Sequence, residues 1–202
     1  MGLLVGLTGT IGSGKTTTAS LLKEMGAFII DADVICRDLL IPHRPAWKEV
    51  IHTFGKEILQ SDQQTVDRGK LADIIFNDKI KKEQLEKILH PKVIAEEMRL
   101  AGQIFKKHPK SIVVVEAALL IESGNDQRMD KVVVVTCSEE QSIQRAMKRC
   151  SLSREQAILR IQNQMPQAEK IKKADYILQN DDRPEDFTIK VQALYSELKA
   201  LT

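Results

Sequence analysis

The chain has 202 residues, 43% hydrophobic, 29% charged and 4% aromatic, with a formal net charge of +2. At roughly 150 residues per domain that length is one compact domain or one domain with a large insertion, and two unrelated domains would be cramped. Near-balanced charge excludes a polycation, and so few aromatic rings leave little for a base-stacking platform, so no nucleic-acid partner is expected.

The three cysteines, Cys36, Cys137 and Cys150, lie far apart with no CxxC, and read as reduced thiols. No uncharged apolar run approaches the ~18 residues that cross a bilayer, and the N-terminus lacks the pattern of a secretion signal. The expectation is a cytoplasmic protein with no membrane partner.

The first predicted element is a strand over Leu3 to Thr8. It runs into Gly9-Thr10-Ile11-Gly12-Ser13-Gly14-Lys15-Thr16, which fits G-x-x-x-x-G-K-[ST] in full, ahead of a helix carrying Leu21, Leu22 and Met25. Glycines let the backbone curl round an anion without Cβ clashes, so that amides along Gly9, Gly12, Ser13 and Gly14 and the positive end of the helix face the phosphates. Lys15 adds a full charge at the β- and γ-phosphates, and the Thr16 hydroxyl is placed to ligate Mg²⁺. Thr17 offers a further hydroxyl to the α-phosphate. Strand before and helix after separate this loop from a merely tight glycine turn.

The second predicted strand, Phe28 to Asp31, brings Asp31 and Asp33 to the C-terminal edge of a sheet, where ligands of such folds collect. A kinase needs a carboxylate beside the acceptor hydroxyl. Asp33 is assigned to accept or orient that proton, and Asp31 to position the metal's waters or the loop. As structure alone, Asp33 would be a helix N-cap worth about 1 kcal/mol. Arg37, one turn on, either pairs with Asp33 or grips a substrate phosphate.

The next strand starts only at Ile112, and the text between, 34–110, is mostly of helical period, so a helical insertion is expected. Within it Asp78 should cap a helix through Leu85, Ile88 and Leu89. His90-Pro91 should end that helix, since proline disfavours helix in the residue before it, and start another whose stripe is Ile94, Met98, Ala101 and Phe105.

Ile112 to Val115 reads as the third strand, closed by Glu116, an acid placed as in a Walker B element to hold Mg²⁺ through water. Val132 to Thr136 is the fourth, followed by a helix over Glu139 to Arg149, a break at Cys150 to Ser153, and a helix whose Ser153-Arg154-Glu155-Gln156 start is a capping box. Arg145 and Arg149, four apart and beside Lys148, are expected to face the triphosphate; Arg154 and Arg160 read as solvated. Tyr176 to Leu178 is the fifth strand, and Phe187, Val191, Leu194, Leu198 and Leu201 stripe a last helix. Continuously apolar strands alternating with amphipathic helices imply a three-layer α/β fold of the P-loop NTPase type: a parallel five-stranded sheet in a single domain over 1–202, with the helical insertion at 34–110 and a helical lid at 139–165.

Neither the Asp-x-x-Gly nor the Asn-Lys-x-Asp string of a GTPase switch occurs. The chain instead resembles the dephospho-coenzyme A kinase family over nearly its whole length. The resemblance is carried by the loop, Ile30-Asp31-Ala32-Asp33, Leu89-His90-Pro91, Leu119-Leu120-Ile121-Glu122, Arg145 and Arg149 with Gln164, and Ala174-Asp175-Tyr176-Ile177-Leu178-Gln179-Asn180. It implies transfer of the ATP γ-phosphoryl group to the ribose 3′-hydroxyl of dephospho-CoA, the last step of coenzyme A synthesis, with Mg²⁺ as cofactor. By that resemblance Asp33, with Lys15 and Arg145, is catalytic. Gly12 to Thr17, Arg149 and Asn180 bind the nucleotide, and the insertion, with Asp33, Arg37 and His90, takes the acceptor. The lid closes over both, in a monomer or small homo-oligomer. Three positions depart from the family: Glu116-Ala117-Ala118 where Asp-x-Pro is frequent, Pro42-His43 where Pro-Gly is, and Cys150 where aspartate is common. Rival expectations are a P-loop kinase for nucleosides or shikimate-like acids, and a nucleotide-binding switch without transfer.

Overall fold

The computed structural model describes residues 1–202 except the side chain of Phe76. In chain order the elements are β1 (Leu3–Gly9), α1 (Lys15–Glu24), β2 (Phe28–Asp31), α2 (Ala32–Leu39), α3 (Pro45–Phe54), α4 (Arg68–Asn77), α5 (Lys79–Lys107), β3 (Ile112–Glu116), β4 (Lys131–Thr136), α6 (Glu139–Cys150), α7 (Arg154–Gln162), α8 (Gln167–Ile171), β5 (Tyr176–Gln179) and α9 (Pro184–Ala200). The strands form one all-parallel sheet in the order β2-β3-β1-β4-β5. β2 has the bounds read from sequence and the other four run one residue longer.

Two compact units divide the chain, Met1–Asp31 with Leu100–Thr202, and Ala32–Arg99. The first holds the sheet. Every residue of β1 is buried, as a strand covered on both faces must be. Its alternate residues Leu3, Val5 and Leu7 join Ala19 and Leu22 of α1 and Phe187, Val191, Leu194 and Leu198 of α9 in one core. Each such large side chain contributes about 1.5–3 kcal/mol by leaving water, so α9 is held by its four buried anchors rather than by helix propensity. Leu201, expected on the same stripe, is half exposed, because α9 ends one residue before it.

The second unit is a helical body around Ala46, Val50 and Phe54 of α3, Leu71 of α4, Leu85 and Leu89 of α5, and Ile58, Leu59 and Val66 between α3 and α4. Asp78 does cap α5, its carboxylate accepting the amides of Ile80 and Lys81. The break expected at His90-Pro91 is absent: α5 is continuous for 29 residues with Pro91 inside it. Proline removes one ladder bond and crowds the carbonyl four residues back, at about 3 kcal/mol. Here burial of Leu85 and Leu89 just upstream holds the helix in place. The Lys92 ammonium also donates to the Ile88 carbonyl in the disturbed turn and to Glu49 of α3. The stripe beyond Pro91 is rotated from the expected one. Ala101 is buried, but Met98 is 37% exposed and Glu97 is buried in its stead.

His43, standing where the family that the chain resembles often has glycine, has φ +70°, the left-handed region glycine favours. Its ring packs on Trp47 at 5.4 Å, a contact that offsets part of the backbone cost.

Candidate active site

β1 ends at Gly9 and α1 starts at Lys15, so the loop between them begins at the C-terminal edge of the sheet and finishes as a helix N-terminus. Gly12 and Gly14 have φ of +76° and +109°, and a Cβ on either would strike a neighbour, the Ser142 carbonyl or the Asn180 amide respectively. Only glycine fits at both. Lys15 folds back over the loop, its Nζ 2.9 Å from the carbonyls of Gly9 and of Thr10.

The outer edge of the loop is gripped by side chains from later elements. Ser142 Oγ donates to the Ile11 carbonyl, the Ile11 amide donates to Gln164 Oε1 at 2.8 Å, and Asn180 Nδ2 donates to the Ser13 carbonyl at 2.8 Å. A trans peptide points its C=O and the following N–H in opposite directions. Fixing the carbonyls of Ile11 and Ser13 outward therefore turns the amides of Gly12 and Gly14 to the other side, into the hollow of the loop. That is the arrangement of an anion nest.

Thr16 Oγ1 donates to Glu116 Oε1 at 2.9 Å, and Arg149 reaches the same hydroxyl at 3.3 Å. Glu116 closes β3 and is the register partner of Leu7 in β1 and of Asp31 in β2, so the two acids end neighbouring strands. A hydroxyl and a carboxylate in contact at the start of α1 are hard oxygen donors of the type Mg²⁺ takes when substrate phosphates complete its shell. Thr16 and Glu116 fit that ion. Thr17, next to Thr16, is exposed.

Arg145 lies four residues before Arg149 on α6, and its Nη2 donates to the Asn180 carbonyl at 3.1 Å, while its Nη1 is buried without a protein partner. Beside it the Asp181 carboxyl is held below its ordinary range by hydrogen bonds from Gln179 and from the Ser138 amide, with a smaller contribution from Arg145 itself. Burial pushes the Cys137 thiol up, which keeps it an uncharged thiol next to the loop. Arg154 turns from the loop to pair with Glu140 across α6 and α7, through two contacts of 2.7 and 2.9 Å. Arg154 is exposed, as read from the sequence, and its ion pair lies on that solvated face.

Three assigned residues belong to the second unit. Asp33 is exposed and is the second residue of α2, not its cap, because β2 passes into α2 with no intervening turn. Arg37 Nε donates to the Asp33 backbone carbonyl at 3.2 Å, and His90 is half-buried inside α5.

Sequence reasoning gave Ser142 no part and Gln164 no role of its own. Ser142, Arg145 and Arg149 follow a helical i, i+3, i+7 spacing, and that shared face is the signal that would have found the serine.

Comparison with known proteins is consistent along the chain. The dephospho-CoA kinase family model matches residues 3–186. A Bacillus thuringiensis protein named dephospho-CoA kinase is 39% identical over 181 residues, 90% of each chain. Among solved structures, TT1252 from Thermus thermophilus superposes with a TM-score of 0.79 at 32% identity over 97% of both chains. Dephospho-CoA kinase from Campylobacter jejuni does so with a TM-score of 0.71 at 31% identity, over 99% of this chain and 98% of that one.

Proposed function

The chain belongs to the dephospho-CoA kinase family, and on that premise we propose how its residues divide the transfer of the ATP γ-phosphoryl group to the ribose 3′-hydroxyl of dephospho-CoA. The 3′-oxygen attacks the γ-phosphorus, the bond to the β–γ bridging oxygen breaks, and ADP leaves with that electron pair. Little covalent work falls to the protein in such a step; positioning and charge neutralisation do most of it.

Gly9, Gly12, Ser13 and Gly14 form the loop that holds the phosphates, the amides of Gly12 and Gly14 facing into it, with Thr17 at the α-phosphate and Asn180 serving the nucleotide site by bracing the loop from its outer edge. Lys15, freed from the Gly9 and Thr10 carbonyls by a better acceptor, moves its charge onto the β- and γ-phosphates. Thr16 would hold Mg²⁺ directly and Glu116 would hold it through water, and the ion would supply neutralisation of the phosphate charge. Arg145 and Arg149 meet the charge on the transferring group, a role worth about 10³ to 10⁵ in rate where an arginine is so placed. Asp33 takes or orients the proton of the attacking hydroxyl. Arg37 and His90, in the 34–110 insertion, serve the acceptor side, and 139–165 acts as the lid that excludes water during transfer. The protein is assigned to the cytoplasm as a monomer or small homo-oligomer, with neither a nucleic-acid nor a membrane partner. Among the described residues no helix is long and apolar enough to cross a membrane.

The observation that supports this reading most directly is the contact of Thr16 with both Glu116 and Arg149 at the first turn of α1. The test is ATP-dependent phosphorylation of dephospho-CoA measured against shikimate and nucleoside monophosphates. The expected result is turnover with dephospho-CoA alone, and a preference for either other acceptor class would overturn the assignment.

A further inference from the structure

Lys170 of α8 has no exposed surface, and its ammonium meets both carboxylate oxygens of Glu122 at 2.8 and 2.9 Å and the Ala118 carbonyl at 2.8 Å. Burial pulls its pKa below the ordinary lysine value, against the opposing pull of Glu122. A buried ion pair is a poor source of stability, because well-packed apolar side chains of similar volume usually do as well or better. What the pair does hold is position.

Glu122 Oε1 accepts the Met165 amide at 3.0 Å. One residue before Met165, the Gln164 side chain accepts the Ile11 amide of the phosphate loop at 2.8 Å. The Ala118 carbonyl taken by Lys170 also accepts the hydroxyl of Thr8, the residue before Gly9. One ammonium thus ties together the turn that follows Glu116, the segment between α7 and α8, and, through Gln164, the outer edge of the loop. Holding the Ile11 amide outward turns the Thr10 carbonyl the opposite way, to where it accepts Lys15 Nζ and the Ser13 amide.

We propose that Lys170 and Glu122 are a positioning pair which, through Met165 and Gln164, sets the phosphate-loop peptides in the orientation that receives ATP. The inference rests on the loop being the ATP site. Calorimetric titration of the wild-type chain with Mg-ATP tests that separately: failure to bind ATP would remove the site, whereas failure of the variants below to alter ATP use would remove only the positioning pair.

Gln164→Ala, which deletes the last link without touching the buried pair, is expected to raise the KM for ATP about tenfold, the upper range for one neutral hydrogen bond. The KM for dephospho-CoA should stay within about twofold, since uniform loss at one substrate leaves the other unchanged. Lys170→Met combined with Glu122→Leu fills the same volume with apolar groups and should keep the melting temperature. It should nevertheless raise the ATP KM to the same extent, because Met165 loses its acceptor. Adding Gln164→Ala to that double variant should raise the KM no further, as links in one chain are not additive. A double variant with wild-type melting temperature and wild-type ATP KM, or a triple variant whose effects multiply, overturns the proposal. If the double variant does not fold, Gln164→Ala decides alone: an unchanged ATP KM overturns it, and a selective rise supports it.

Discussion

Asp33 stands exposed in the first turn of α2, where the positive end of the helix favours its charge. Solvent access suits a carboxylate proposed to orient a hydroxyl and receive its proton. Asp33→Asn keeps the shape and removes the basicity, so ATP affinity should hold while kcat falls by at least ~10², the usual worth of a positioned general base. Steady-state kinetics with calorimetry checks this, and full activity in the variant would remove Asp33 from the chemistry. Lys15→Ala should instead weaken nucleotide binding and turnover together, if its charge acts on bound ATP before and during transfer as proposed. Unchanged affinity by calorimetry would contradict the proposed part of Lys15. Among single residues, those of the loop were legible because their chemistry is compressed into eight consecutive positions. Ser142 and Gln164 were not, because each reaches Ile11 from more than a hundred residues away, and serine and glutamine carry no motif of their own.

Helices α6 and α7 show which elements announce themselves. Ser153 and Gln156 make the reciprocal bonds of the expected capping box, and the break before them comes where Ser151 turns left-handed, at φ +51°, and the amides of Ser151 and Leu152 return to the Met147 carbonyl. Local signals of this kind act over three or four residues and survive folding. The Pro91 break did not appear because the proline's local preference lost to side chains buried against α3 and α4, a competition that no window around Pro91 contains. Contacts between α6 and α7 were equally hidden: Ile143 and Ala146 pack on Ala157 in a buried cluster, and at the surface the Glu140–Arg154 pair spans fourteen residues. Hydrogen bonds from Arg154 first, then Gln144, lower the Glu140 pKa from 4.5 to about 2. A carboxyl with a depressed folded-state pKa adds stability above its unfolded value and loses it as pH falls through the folded one. The pair's contribution should therefore be complete above pH 4.5 and fade toward about pH 2. Carboxyl-carbon NMR of Glu140 should titrate near the lower value, and Arg154→Gln should raise it part of the way back toward 4.5, the Gln144 bond remaining; a wild-type midpoint near 4.5 would mean the pair does not persist in solution.

At the scale of the whole molecule, the sheet unit holds the phosphate loop and the helical unit, 32–99, holds Asp33, Arg37 and His90. If the two units serve different substrates, each ligand should leave its own imprint. Hydrogen exchange with Mg-ATP should slow amides at 9–17 and 139–165, and dephospho-CoA should slow amides within 32–99. A ligand that binds only the folded state stabilises it by about 2.7 kcal/mol at a hundredfold excess over its Kd. In a chain of this size that raises the melting temperature by roughly 5–11 °C. Mg-ATP should produce a rise of that order by scanning calorimetry, and Lys15→Ala should abolish it at the same ATP concentration while leaving the rise due to dephospho-CoA. The sheet's core, α1 and α9 included, does not involve the Lys15 side chain, so the variant loses only the two bonds to the Gly9 and Thr10 carbonyls, and each ligand's rise is read against the variant's own ligand-free melting temperature. Dephospho-CoA protection confined to 9–17, with 32–99 unaffected, would mean that the helical unit is not the acceptor side and that the second substrate is read from the sheet unit alone.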